Sequence, residues 1–383
     1  MSEPFALYVH VPWCRHVCPY CDFNVYAAAE PPEREYVEAV VTELTAHARD
    51  GGWGGRHVKT VYLGGGTPSL LSPAAMETLL GTVARRFGLV GGAEVSIEAN
   101  PGTVSRERLA GYRAAGINRL SLGAQSFEPQ HLRALGRDHA AGDIARAVDA
   151  ARAAGFDNVS LDLIFGVPGE TAEDWARDLA AAVALGPQHV SAYGLTYEEG
   201  TPYHAWRESG RIVAVPEDDE ATMAESAVAI LEAAGLLRYE ISSFARPGYE
   251  ARHNVSYWDG SDYLGVGPGA HSFTRDPAPG RRWVNERLPA AYAAAVRATG
   301  LAVGRDQRLS VAQARGEFVL TGLRRLAGVD AETFRRRFGA PLEEVFPQVA
   351  ELAADGLVER AAGRLRLTSR GLTFADTVAA RFV

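Results

Sequence analysis

Six short runs rich in β-branched residues recur through the first half of the chain: ALYVHV (6–11), KTVYLGGG (59–66), AEVSIEAN (93–100), INRLSLGAQ (117–125), NVSLDLIFG (158–166) and HVSAYGLTY (189–197). Between them lie Ala-, Arg- and Glu-rich stretches with helical spacing. Strands alternating with helices predict βαβ units and a parallel sheet. The spacing is that of (β/α) barrel units, and six units before residue 235 predict an incomplete barrel of the α/β class. Each run ends in residues poorly suited to packing: His10, the stretch 64–67, Glu98 and Asn100, Gln125 and Ser126, Asp162, and Thr196. In a barrel these ends share one face, where chemistry is placed.

Past Leu236 the alternation weakens. Residues 239–272 are rich in aromatics, Gly and His without a helical period. We expect residues 236–302 to form a sheet extension and loops over the barrel mouth. Within them GVGPGAH (265–271) lacks the third glycine of a dinucleotide fingerprint in phase and a helix after it, so it predicts a turn. From 303 the pattern becomes helical and then shows a hairpin, LVERAAGRLRLT (357–368). This predicts a small winged-helix-like α+β domain over 303–383, after a barrel over 1–235.

Composition narrows the function. A chain of 383 residues, 47% of them apolar, can bury a large core, and its formal charge of −8 argues against a phosphate-backbone binder. Lys59 is the only lysine, so Schiff-base chemistry has almost no candidate. The N-terminal stretch lacks a basic region followed by an apolar one, and no run of 18 apolar residues occurs. The expectation is a soluble, cytoplasmic protein without a transmembrane segment, with peripheral membrane contact and either a monomeric or homodimeric state left open.

The three cysteines, Cys14, Cys18 and Cys21, lie within eight residues. An odd, clustered set suggests metal binding rather than disulfides. Thiolates ligate iron–sulfur clusters, and a fully protein-bound cubane needs four. Three, in C-x3-C-x2-C spacing right after the first strand, leave one iron open to chelation by the amine and carboxylate of a small molecule. Two other readings are structural zinc, with His10 or His16 as fourth ligand, and a glutaredoxin-like dithiol at residues 18–21. Zinc lacks a second Cys/His pair, and the dithiol would make Cys14 superfluous.

Together with the cysteine loop, YVHVPWCRHVCPYCDFN (8–24), the segments LGGGTPSLL (63–71), IEANPGT (97–103), NRLSLGAQSF (118–127), LGRDH (135–139), SLDLIFGVPGET (160–171), YEISSFARPG (239–248) and HNVSYW (253–258) run over almost the whole chain. In them the sequence resembles the radical-SAM superfamily, in the branch that contains oxygen-independent coproporphyrinogen III oxidase and HemW-type heme chaperones. The resemblance implies a [4Fe–4S] cluster on Cys14, Cys18 and Cys21, with S-adenosylmethionine (SAM) on the open iron. It implies that Tyr8 and Tyr20 line the cluster and SAM, that Gly65, Gly66 and Thr67 let backbone approach the methionine moiety, and that Glu98 receives a SAM polar group. Gln125, Arg137 and Asp162 match positions that contact a second SAM in the oxidase. A structural alternative for Asp162 is a salt bridge closing the barrel.

Two departures separate the chain from the oxidase pattern: Phe23 replaces a further cysteine just past the loop, and only seven residues precede Tyr8 where the oxidase has an extension. HNVSYW resembles the HNxxYW motif of heme chaperones. The resemblance therefore implies a chaperone that binds heme, with His253 as iron ligand and Tyr257 and Trp258 stacked on the porphyrin, and passes it to acceptor hemoproteins. Oxidative decarboxylation of coproporphyrinogen III is the alternative. No catalytic residue is assigned.

Overall fold

Burial on both faces makes the strands of a parallel sheet apolar nearly throughout, and the exceptions are informative. The computed structural model describes residues 3–50 and 52–383. Strands β1 (Phe5–Val11), β2 (Val58–Gly65), β3 (Leu89–Ala99), β4 (Arg119–Gln125), β5 (Val159–Phe165) and β6 (His189–Gly194) pair in chain order, each parallel to the next. In β1 only Tyr8 is not fully buried, and in β5 only Asp162. Both interruptions are site residues named from sequence.

Six helices return the chain between strands and after the last: α1 (Glu33–Asp50), α2 (Pro73–Arg86), α3 (Arg106–Ala114), α4 (Ala141–Ala153), α5 (Ala172–Ala184) and α6 (Glu217–Ala233). Their starts are written locally. Ser72 accepts from the Ala75 N–H ahead of Pro73, and Thr171 with Asp174 forms a capping box. Leu, Val and Ala from these helices pack on the strands in one large core.

The barrel does not close. On its far side β6 meets β8 (Ser243–Ala245), antiparallel, which pairs with β7 (Leu237–Arg238). On the other side β1 takes β9 (Tyr263–Val266) in parallel, followed by antiparallel β10 (His271–Thr274), β11 (Arg281–Asn285) and β12 (Val303–Arg308). All twelve form one sheet. Residues 236–302 thus lengthen the sheet at both edges, and GVGPGAH is the turn between β9 and β10. HNVSYW, read as aperiodic, lies in helix α7 (Arg252–Trp258). Seven residues are too few to display a helical period, and the helix start is held by Glu94 of β3, which accepts from the Arg252 and His253 N–H groups.

A second core gathers Phe318, Phe334, Leu342, Phe346, Leu365 and Phe382. It joins α8 (Val311–Gly322) and α9 (Ala331–Phe338) to a three-stranded antiparallel sheet of Val329–Asp330, Arg364–Leu367 and Val358–Ala361. Residues 303–308, assigned from sequence to this unit, hydrogen-bond as β12 to the main sheet, so the separate core begins beyond them.

Phe334 is fully buried among Phe318, Phe338 and Phe346. Phe334→Ala is expected to destabilise this unit by about 3–5 kcal/mol, from lost transfer energy plus the cavity. Hydrogen exchange should then rise over 311–382 while β1–β6 stay protected.

Candidate functional site

At the carboxyl ends of β1–β6 the cysteine loop is tied down by a ring of hydrogen bonds. Thr67 Oγ1 donates to Cys14 Sγ (3.3 Å), and Asn100 Nδ2 donates to Thr67 Oγ1 (3.1 Å). Arg137 Nη2 donates to Asn100 Oδ1 (2.5 Å), and its Nη1 to Cys18 Sγ (3.3 Å). Two thiols are thus joined through residues from three other segments.

The LGRDH stretch explains itself here. Leu135 is buried in a small cluster with Ile164, Val167, Leu195 and Tyr203, against which Tyr20 packs. Gly136, at φ +66°, has no Cβ because one would meet Pro19 Cδ at 2.7 Å. Its carbonyl accepts from His16 Nε2 (2.7 Å), and His139 Nε2 donates to the Ala124 carbonyl (3.0 Å). Tyr203 N–H donates to the Pro19 carbonyl (3.0 Å) from behind.

All three cysteines are free; Cys18 is buried, and Cys14 and Cys21 are half-buried. Burial pushes the Cys21 thiol up to about 11 and raises Cys14 as well. The thiolate form at these positions therefore needs a positive partner, and iron supplies that charge. The donor chemistry fits a cubane: thiols of one loop, two of them taking N–H or O–H donors, and a buried Arg137 Nε without a partner beside them. Of the two histidines weighed as a zinc ligand, His16 is tied to the Gly136 carbonyl through Nε2, and His10 is engaged by Tyr8 Oη (2.9 Å) and the Asn24 carbonyl (3.0 Å).

Beside the loop, Glu98 accepts from Tyr62 Oη (2.7 Å) and the Gly65 N–H (2.9 Å). Burial, with the Asp162 carboxylate adding to it, pushes Glu98 up to about 7. Asp162 takes its hydrogen bonds from the side chains of Ser121 and Ser191 and has no ion-pair partner among the described residues, so no salt bridge there closes the barrel. Gln125, at the end of β4, sits in the left-handed region at φ 64°. The register with β5 shifts between Gly123 and Gln125, and the left-handed residue takes up that irregularity.

The packing gives the glycine run a further reason. A Cβ on Gly65 would strike the His10 ring at 2.5 Å, and one on Gly66 the Trp13 carbonyl oxygen at 2.5 Å. These glycines admit neighbouring protein groups.

HNVSYW is held by the protein itself. His253 is buried, with Nδ1 hydrogen-bonded to Thr60 Oγ1 (2.9 Å) and Nε2 to Tyr257 Oη (2.8 Å). Burial pushes its imidazole down to about 3. With both nitrogens engaged, the ring has no free lone pair for heme iron. It stacks instead on Tyr62 (centroids 5.0 Å apart, 27°), behind the Tyr62–Glu98 hydrogen bond. Trp258 lies against Arg324 of the C-terminal unit (4.7 Å), whereas Tyr257 does line the mouth cavity. Sequence reasoning left Tyr62 and Ser121 without a role; their signal is their place on the same strand faces as Glu98 and Asp162.

The radical SAM superfamily model matches residues 8–182, and the HemN C-terminal domain model matches 309–374. The chain is 37% identical to a protein named heme chaperone HemW from Escherichia coli, over 99% of this chain and 98% of that one. A protein of the same name from Mycobacterium tuberculosis is 41% identical, over 98% and 94%. The chain belongs to the HemW family of the radical-SAM superfamily. Its fold is also that of the radical-SAM enzyme coproporphyrinogen III oxidase (HemN) from Escherichia coli, with TM-score 0.85 and 26% identity over 99% of this chain and 90% of that one. The [4Fe–4S] cluster and SAM come with the superfamily. The curated HemW relatives and the oxidase thus share one frame, so the frame alone does not separate carriage from decarboxylation.

Replacing any one of Cys14, Cys18 or Cys21 by Ala is expected to abolish the brown iron–sulfur absorption of anaerobically reconstituted protein. Full iron retention in all three variants would overturn the assignment.

Proposed function

We propose that this protein binds heme and hands it to acceptor hemoproteins in the cytoplasm, while Cys14, Cys18 and Cys21 hold a [4Fe–4S] cluster with SAM beside it. The observation that carries the reading is full-length similarity to proteins named heme chaperones, at identities well above that to the oxidase. The charge of −8 and the three free thiols suit a reducing, intracellular setting. No helix among the described residues is long and apolar enough to cross a membrane.

When bound, the cluster supplies single electrons to the SAM sulfonium. The chain's part is binding and orientation. Glu98 presents a carboxylate to an N–H of the SAM amino group, while Gly65, Gly66 and Thr67 shape the wall beside it. Tyr8 and Tyr20 bound the space on either side of the cysteine loop. Arg137 holds Cys18 and Asn100, and Gln125 and Asp162 offer polar groups further round the barrel, Asp162 as an acceptor for hydroxyls.

The titration of Glu98 gives SAM binding a pH dependence. Its acidity constant near 7 lies above the ordinary 4.5, and the ionised carboxylate is the better acceptor for the N–H of the SAM amino group. Affinity should therefore be full above pH 7 and fall below it, by up to about tenfold per unit. Glu98→Gln should weaken SAM binding and remove this slope. An unchanged slope in an anaerobic titration of the variant would sink the role of Glu98.

For the function itself, reconstituted protein is loaded with hemin and mixed with an apo-hemoprotein, and separately given coproporphyrinogen III, SAM and reductant. Heme transfer without protoporphyrinogen formation is expected. Turnover of coproporphyrinogen would replace the chaperone reading with the oxidase one.

A further inference from the structure

With His253 sealed behind Tyr62, heme iron needs another ligand, and the mouth of the barrel contains one. A cavity of about 910 Å³ opens there, bordered on one side by Tyr8, Gly65 and Glu98 and on the other by the edge strands β10–β12 and the turns around them. Its volume falls within the roughly 300–1,000 Å³ usual for sites that enclose a drug-sized ligand. His271, at the start of β10, lines this cavity and is exposed. No hydrogen bond engages its ring among the described residues, in contrast to His10 and His253.

The strand register surrounds it with the chemistry of a macrocycle bearing carboxylates. His271 pairs with Val284 on β11, and Val284 pairs with Arg305 on β12. Directly paired residues project from the same sheet face. Imidazole, a branched apolar side chain and a guanidinium therefore form one row about 10 Å long, two strand spacings. Arg287, two residues past the end of β11, lines the same cavity, and its Nε donates to Asn24 Oδ1 at 3.3 Å. Neither Arg287 nor Arg305 has a carboxylate partner among the described residues, whereas their neighbours Arg281 and Arg282 pair with Asp306 and Glu317. Two large apolar side chains stand at the rim, Phe23 at 64% exposure and Leu288 at 60%. Isolated exposed apolar residues need no explanation, but two bordering one cavity mark a binding face.

We propose that heme binds in this cavity with His271 Nε2 or Nδ1 as axial iron ligand, Phe23 and Val284 against the porphyrin, and Arg287 and Arg305 paired with the two propionates. The proposal rests on the heme-carrier reading above. The bond formed is a dative one from an imidazole lone pair to iron, displacing water or leaving a fifth site filled, with no change of oxidation state. The arrangement also places heme next to the Tyr8–Glu98 side of the cavity, adjoining the SAM site, and it gives Phe23, which stands where the oxidase pattern has cysteine, an apolar contact to make.

The test is a hemin titration of the full-length protein with its cluster loaded, so that no free thiolate competes for iron, read as a Soret difference spectrum. Wild-type protein is expected to show a shifted Soret band with saturable binding. His271→Ala should lose that band position and weaken hemin binding by at least about tenfold, with cluster content and SAM affinity unchanged. His271→Gly should regain the wild-type spectrum when free imidazole is added, which a purely structural histidine would not allow. Arg287→Ala and Arg305→Ala should each weaken binding about three- to tenfold without moving the band, as loss of one charge-assisted pair does. A wild-type spectrum and affinity in His271→Ala would overturn the ligand assignment while leaving heme carriage standing. Loss of the band in His253→Ala with His271→Ala unaffected would return the role to His253. Failure of the wild-type protein to bind hemin at all would remove the heme-carrier reading and this inference with it.

Discussion

One guanidinium holds the working end of this molecule together. Arg137 donates to the Cys18 thiol with one nitrogen and to Asn100 with another, and through Asn100 and Thr67 it reaches the Cys14 thiol. Arginine suits this post because its planar fork keeps its charge and donates in fixed directions. A lysine ammonium could satisfy either partner, without the geometry that spans both. The segment around Arg137 is placed by Gly136, whose missing Cβ admits Pro19, and by the buried cluster of Leu135 and Tyr203. Small changes there would move the cysteine loop relative to the barrel.

The barrel's contribution is a space left unfilled at the ends of a densely packed sheet. Along β1 and β5 every residue but Tyr8 and Asp162 is buried, and in β4 the last residue, Gln125, is the exception. Polar groups in such strands are costly unless partnered. The protein partners them with few groups: Asp162 with the side chains of Ser121 and Ser191, Glu98 with one tyrosine and one backbone N–H. Burial lifts Glu98 to about 7, and the few donors leave its remaining lone pairs for a ligand.

The open edges of the sheet serve a second purpose. Beyond β1, strands β9–β12 carry the sheet past the barrel and build the far wall of the mouth cavity. Helix α7 packs beneath, its start held by Glu94 and its His253 ring stacked on Tyr62. The motif that looks most like a heme ligand in the sequence thus supports the carboxylate at the SAM side, and the histidine free to bind metal lies one hairpin later.

Local signals were enough for the parallel six-stranded arrangement, the three-thiol loop and the strand-end residues. Each follows from short-range rules: β-branched runs, clustered cysteines, and polar residues interrupting apolar strands. The C-terminal hairpin was also legible, because a glycine turn between alternating residues needs no distant partner. Only the tertiary structure decided the rest. It placed His253 and Trp258 away from the cavity, because Thr60, Tyr62 and Arg324, distant in sequence, close around them. It assigned β12 to the main sheet by pairing with β11, and it packed His10 and Trp13 against the glycines of 64–66. Whether an imidazole nitrogen is free depends on what lies within about 3 Å of it, and that distance is set by contacts between residues far apart along the chain.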